Sequence, residues 1–334
     1  MIKYIVKRLM TLIPLLLVLS FFTFFLIQLP EGDYLSMYIQ QLRTSGTAVD
    51  DAEVQRLTAM YGVDKPFLEQ YFIWIKNIVT KFDFGRSFQW NKPVLEVIAD
   101  RIVLTTLISL LSTAFVWAVA VPIGIYSAVR QYSLFDYFFT FIGYIGLATP
   151  GFVLAIVVVW LAYSQLGLSV TGLFSSEYLA AGWSFGKILD LLKHIWVPVI
   201  ILGVSGTAGI IRVMRGTLLD ELKKQYVTTA KAKGMKNVRL LMKYPVRVAI
   251  NPMISTIGWM LPSLISGEVI VSIVLNLPTC GPILQRAIML QDMYLAGGFM
   301  VILSSLTVIG TLVSDILLSW ADPRIRFSGK GGQI

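Results

Sequence analysis

Residues Tyr226-Val-Thr-Thr-Ala-Lys-Ala-Lys-Gly234 form the centre of a basic segment, Arg212–Arg247, between two hydrophobic stretches. The segment carries ten Lys or Arg and two acids, Asp220 and Glu221, a net charge of +8 out of +9 for the whole chain. Lys and Arg collect in the cytoplasmic loops of membrane proteins, so this segment is expected in the cytoplasm. Charge therefore orients the chain, but it does not explain Ala230-x-Ala232-x-Gly234. Small residues permit close packing into a groove, and a glycine permits a sharp exit from a helix. The spacing predicts a short helix and turn that plugs into a soluble partner. Tyr226 and Met235 supply apolar anchors.

Composition places the rest of the chain around that segment. Of 334 residues, 56% are hydrophobic and only 14% charged, against about 25% charged in a soluble domain. Mean hydropathy is +0.74. Apolar runs of roughly 18 or more residues read as spanning helices. Six qualify: Leu9–Leu29, Ile102–Val129, Tyr137–Tyr163, Ile195–Ile211, Ser255–Val274 and Tyr294–Ser314. The third is interrupted by Gly143, Gly146 and Pro150-Gly151, and the fifth holds one charge, Glu268. Lys3, Lys7 and Arg8 precede the first span, which is too long for a signal-peptide core and reads as a retained signal-anchor. Counting outward from the basic segment puts both termini in the cytoplasm. The basic clusters at Lys3–Arg8 and at Arg324, Arg326 and Lys330 agree.

The stretch Pro30–Asp100 then falls outside, with seven basic and ten acidic residues, a net −3. Val54, Leu57 and Tyr61, and then Phe67, Tyr71, Trp74, Ile75 and Ile78, recur at helical spacing around a break at Asp64-Lys-Pro66. Pro93–Asp100 reads as a third short helix, completing a helical cap on the outer face. A second outer segment, Gly167–Lys193, is mildly amphipathic, and Trp183, Phe185, Ile188, Leu189 and Leu192 read as an interfacial helix; Asn276–Asp292 reads as an outer re-entrant turn or short helix. The organisation expected is 1–30 first span, 31–100 cap, 101–320 core of five spans with cytoplasmic loop 212–247, and 321–334 tail.

Chemistry of its own is scarce. Gly182-Trp-Ser-Phe-Gly186-Lys187-Ile188 is the nearest approach to a P-loop, but it is one residue short and carries Ile where a magnesium-binding hydroxyl belongs. No zinc-protease motif or serine elbow occurs. Cys280 and His194 are each the only residue of their type, so a disulfide is excluded and no metal site is expected. The basic segment lacks interleaved aromatics, so nucleic acid is not expected as a partner. Glu268 reads as a translocation-path carboxylate, as a hydrogen-bond acceptor for a neighbouring helix or subunit, or as a residue in a wetter part of the bundle, and Asp315 near the end of the last span reads as a structural pair or cap. Gly203, Gly206 and Gly209 lie near one helix face, as a packing surface or as a smooth wall of a path. Gly258, Pro262 and Pro150-Gly151 are possible hinges.

The stretch "YVTTAKAKG" with the later Asn251-Pro252 resembles the EAA loop of ABC importer permeases, and more narrowly the OppB/DppB-like branch of peptide and nickel permeases. "YIVKRLMTLIPLLLVLSFFTFFLI", "YGVDKPFLEQYFIWIKNIVTKFDFGRSF" with "PVLEVIADRIVLTTLIS", and "DPRIRF" at Asp322–Phe327 carry the same resemblance in order along most of the chain. Thr228 and Thr229 replace the Glu and first Ala of the loop, Tyr244-Pro245 stands where a plain helical pair is common, and Cys280 stands in a turn that is often glycine-rich. The resemblance implies an all-α membrane protein with the type I importer (MetI-like) fold: six transmembrane helices and a helical extracytoplasmic cap. It implies a second OppC/DppC-like permease, two OppD/OppF-like ATPases that hold ATP and Mg, an extracytoplasmic substrate-binding protein and surrounding lipid. This chain would bind no cofactor. The coupling residues implied are Tyr226, Val227, Thr229, Ala230, Lys231, Ala232, Gly234 and Met235.

The expected function is thus a permease subunit of an ATP-driven importer for di- or oligopeptides. The same machine carrying nickel chelates or oligosaccharides is the alternative. A self-sufficient secondary transporter would need more intramembrane ionisable groups, and an intramembrane enzyme would need a catalytic pair that the spans lack.

Overall fold

The computed structural model describes residues 2–28, 65–87, 89–179, 181–255 and 269–321, together with residues 55 and 58. Among these the regular elements are all helical, apart from one isolated bridge pairing Arg86 with Pro93. Among the described residues three helices are long and apolar enough to cross a membrane, Val94–Val129, Trp196–Leu222 and Met293–Ser314, and one bent pair, Leu134–Ala148 with Gly151–Leu166, meets that length and hydropathy only when its two helices are taken together. The first helix carries a shorter apolar stretch, Ile13–Leu26. Much of the expected fifth span, with Gly258, Pro262 and Glu268, lies outside the described residues, as do most of 30–64 and the Asp322–Phe327 tail.

The chain forms two compact units, Met1–Val103 with Thr279–Leu306, and Leu104–Pro278 with Thr307–Ile334. In the first, α1 (Ile2–Gln28) is joined by α2 (Phe67–Lys81). Pro66 precedes α2, and the buried Tyr71, Trp74 and Ile78 repeat at helical spacing. That face meets α1: Trp74 stacks on Phe24 at 5.2 Å, and the Tyr71 hydroxyl lies 2.9 Å from Ser20 Oγ. Gln28 Nε2 donates to Gln70 Oε1 at 2.8 Å. The expected cap helix therefore lies along the second half of α1, because its aromatic stripe needs an apolar partner. Phe82, at φ 57, ends it.

The short helix expected at Pro93–Asp100 is not separate. It is the start of α3 (Val94–Val129), since Asp100 and Arg101 do not break a helix as Gly or Pro would. In the same unit, α13 (Cys280–Met289) leads to the first half of α14 (Met293–Ala321). Asp292 caps α14 by accepting from the Leu295 amide at 3.2 Å, and it also accepts from Ser87 Oγ at 2.5 Å and the Gln89 amide at 3.1 Å. The turn that precedes α3 is thereby tied to the start of α14.

In the second unit the expected third span is two helices, α4 (Leu134–Ala148) and α5 (Gly151–Leu166), bent by 100°. Pro150 sets the break, because its ring fixes φ and removes an N–H. Gly143 and Gly146 break nothing: a Cβ at either would lie near Ala208 or the Val204 carbonyl of the facing helix. After the short α6 (Ser176–Leu179) comes α7 (Phe185–His194), whose N-cap Ser184 accepts from the Lys187 amide. Lys187 Nζ donates to the Ala181 carbonyl at 2.5 Å and sits 4.8 Å from the Phe174 ring centre, so this lysine is committed within the chain. Burial pushes the Asp190 carboxyl up, but hydrogen bonds from the Ser175 hydroxyl and amide, with His194 and Lys193 nearby, outweigh burial and hold it below the usual aspartate range.

Helix α8 (Trp196–Leu222) continues well past the expected span, so the first third of the basic segment is helix rather than loop. Met214 and Leu218 on this extension are fully buried and pack with Val116 and Ala120 of α3 and with Val246, Ala249 and Met253. Three short helices follow: α9 (Gln225–Ala232), α10 (Asn237–Lys243) and α11 (Pro245–Ala249). The next described element is α12 (Val269–Val274), which leads to α13.

Candidate coupling segment

The helix and turn expected at Tyr226–Met235 are present. Helix α9 ends at Ala232, and Gly234 takes φ +74, a left-handed conformation that glycine adopts without strain. The amide of Gly234 donates to the Lys231 carbonyl at 3.0 Å, and that of Met235 donates to the Ala230 carbonyl at 3.3 Å. The turn brings α10 back against α9. Val227, Ala230 and Leu240 are buried together, with Met235 and Tyr244 packed on them.

The candidate residues thus divide by face. Val227 and Ala230 point into this small core, and Met235 borders it. Ala230 permits close approach, but the neighbour it approaches is α10 of its own chain. Thr228, Thr229 and Ala232 are exposed on the opposite side of α9 and form its small-residue outer face. Tyr226 and Lys231 flank it, both exposed, and the Tyr226 hydroxyl donates to Glu221 at the end of α8. Leu240 and Tyr244 complete the core, and neither is among the coupling residues that the resemblance implies. Their signal was the apolar spacing Leu240–Tyr244 within a segment dominated by lysines.

Pro245 begins α11, the first-turn position where its missing N–H costs nothing. Below the segment, Thr217 Oγ1 of α8 shares its one proton between the Val213 carbonyl of its own helix at 2.9 Å and the Ala249 carbonyl of α11 at 3.1 Å. Arg215 of α8 forms a two-pronged ion pair with Asp136 of α4, Nε and the second guanidinium nitrogen each 2.9 Å from a carboxylate oxygen. Asp136 is buried and also accepts from the Tyr132 amide at 2.9 Å. The segment therefore rests on an electrostatically pinned helix pair.

The glycine row on α8 is mostly a packing surface. A Cβ on Gly203 would stand 2.3 Å from Phe115 Cδ1, and one on Gly206 would stand 3.2 Å from Val116 Cγ2, both on α3. Gly209 has open space around it. The path reading of Gly203 and Gly206 therefore gives way to close helix contact, and only Gly209 keeps room beside it. Among the described residues no group of His, Cys, Asp and Glu could hold a metal ion.

Residues 120–327 match the model of the binding-protein-dependent transport system inner membrane component, and residues 1–110 match the corresponding N-terminal membrane component. The chain belongs to this permease family. It is 33% identical to the oligopeptide transport system permease protein AppB of Bacillus subtilis over 98% of this chain and 100% of that one. It is 30% identical to the oligopeptide transport system permease protein OppB of Haemophilus influenzae over 98% and 100%, and 29% identical to the dipeptide transport system permease protein DppB of Alkalihalophilus pseudofirmus over the same shares. The OppB/DppB-like ABC importer resemblance and the all-α, MetI-like membrane fold rest on these matches and on the apolar helices.

Proposed function

We propose that this chain is a permease subunit of an ATP-driven importer of di- or oligopeptides, working with a second permease, two cytoplasmic ATPases and an extracytoplasmic binding protein. The relatives' names supply the substrate class. The observation that carries the mechanism is the two-faced α9. Its inner residues Val227 and Ala230 are consumed by a core shared with Leu240, while small Thr228, Thr229 and Ala232 face outward. Such an element is rigid without a partner and offers a low surface to one. Motion of an ATPase groove seated on that face passes to α8 through Glu221 and Thr217, and from α8 to α4 through the Arg215–Asp136 pair. ATP and Mg belong to the ATPases, and the basic segment lies in the cytoplasm with both chain termini.

Ala232→Glu tests this reading. Ala232 is exposed, so the charge stays solvated in the isolated chain, and insertion and thermal stability are retained. Docked into a groove, the same charge is desolvated without a partner, at a cost of several kcal/mol. The expected result is loss of ATPase co-purification or of ATP-driven peptide uptake in vesicles. Full assembly together with full uptake would show that this face is not the coupling surface.

A further inference from the structure

The side of α7 that faces away from the chain is apolar, and the polar side chains of Lys187 and Asp190 are turned inward. Phe185 is 76% exposed, Leu192 58%, and Trp196, at the start of α8, 53%. Ile188 and Leu189 are exposed between them. At about 100° per residue these five positions share about 100° of arc. Lys187 and Asp190 lie on the opposite side, buried, with partners in Ala181 and Ser175. Trp196 Nε1 donates to the Lys193 carbonyl at 2.9 Å, so the indole N–H needs no water. A surface helix in water shows the reverse arrangement.

Depth along α8 decides what covers this face. Helix α7 passes into α8 through Ile195, which caps both in a right-handed helical conformation. Arg212 is exposed further along α8, where the apolar run ends. From Trp196 to Arg212 is about 24 Å of helix rise, and from Phe185 to Arg212 at most about 40 Å. A bilayer has about 30 Å of hydrocarbon and about 40–45 Å with its headgroups. With Arg212 at one edge of the hydrocarbon, Leu192 reaches the opposite edge at about 30 Å of rise, Trp196 stands about one turn inside it, and Phe185 comes no further than about the outer level of the far headgroups.

We propose that the Phe185–Ile188–Leu189–Leu192–Trp196 face is a lipid-binding surface, seated at the acyl–headgroup boundary opposite the basic segment. Helix α7 is then an interfacial anchor whose water-facing side has been taken over by the protein. Exposed Lys193 lies beside the face, long enough to reach a lipid phosphate. This surface is independent of peptide specificity and of coupling.

The test places single cysteines at Phe185, Leu189, Leu191 and Leu192 in a Cys280→Ser background. The chain is purified with the subunits that accompany it from its host membrane, nitroxide-labelled and reconstituted in phosphatidylglycerol–phosphatidylethanolamine vesicles. Collision rates are read by electron paramagnetic resonance with oxygen, which partitions into lipid, and with a nickel chelate, which stays in water. The expected result is a several-fold oxygen preference at positions 185, 189 and 192, with position 191 shielded from both reagents. Nickel preference at the three exposed positions would place the face in water, and shielding from both reagents would place it under another protein. Either outcome overturns the proposal.

Discussion

Gly234 shows how a single backbone angle shapes the candidate coupling segment. Its φ is +74, yet a Cβ placed there meets no atom within 4 Å. The demand for glycine is thus conformational within this chain. Gly234→Asn, which tolerates the left-handed region, should keep the α9–α10 turn. Gly234→Val should cost about 1–2 kcal/mol or more, read as a lower thermal midpoint and weaker ATPase co-purification. Gly203 obeys a different constraint, because its missing Cβ makes room for Phe115. Gly203→Ala should destabilise by about 1–3 kcal/mol through overpacking, whereas Gly209→Ala should be neutral or slightly stabilising through helix propensity. Thermal unfolding in detergent separates the two, and equal effects would contradict the packing described.

At the scale of elements, the joint between α4 and α8 carries the largest electrostatic stake. The Arg215–Asp136 pair is bidentate, with the Asp side chain 3% exposed and the Arg 27%. Removing one partner of such a pair leaves a charge uncompensated, at about 3 kcal/mol or more. Asp136→Ala should therefore lower stability sharply, and it also strips the Tyr132 amide of its acceptor. The double change Asp136→Leu with Arg215→Leu should recover most of that loss, since an apolar pair of similar volume needs no desolvation. A double-mutant cycle on thermal stability with no coupling between the positions would show that the pair does not hold α4 to α8. If the pair also transmits motion, the restored double variant should fold normally yet uncouple ATP hydrolysis from uptake.

At the scale of the whole molecule, the charge contrast between segments predicts orientation. Cysteines replacing Asp83, in the turn after α2, and Lys236, in the turn before α10, should react with an impermeant maleimide from opposite faces of sealed vesicles in a Cys280→Ser background. Reaction of both from one face would refute the topology on which the proposed function rests. Much of this was legible in one dimension. Hydropathy and charge depend on composition along a line, so the membrane class, the basic cytoplasmic-type segment and the short helix ending at Gly234 could be read directly from residues. The α2 stripe of Tyr71, Trp74 and Ile78 was legible as well, since period alone marks a buried face. What covers a face depends on residues distant in sequence, and only the tertiary structure decided those matters. It turned Ala230 inward onto Leu240, set Gly203 against Phe115 and packed α2 on α1. It also joined Arg215 to Asp136, bent the third apolar stretch by 100° at Pro150 and carried α8 through residues that read as loop. Each outcome turns on a partner brought close by folding, and a linear pattern specifies that a surface must be covered without specifying by what.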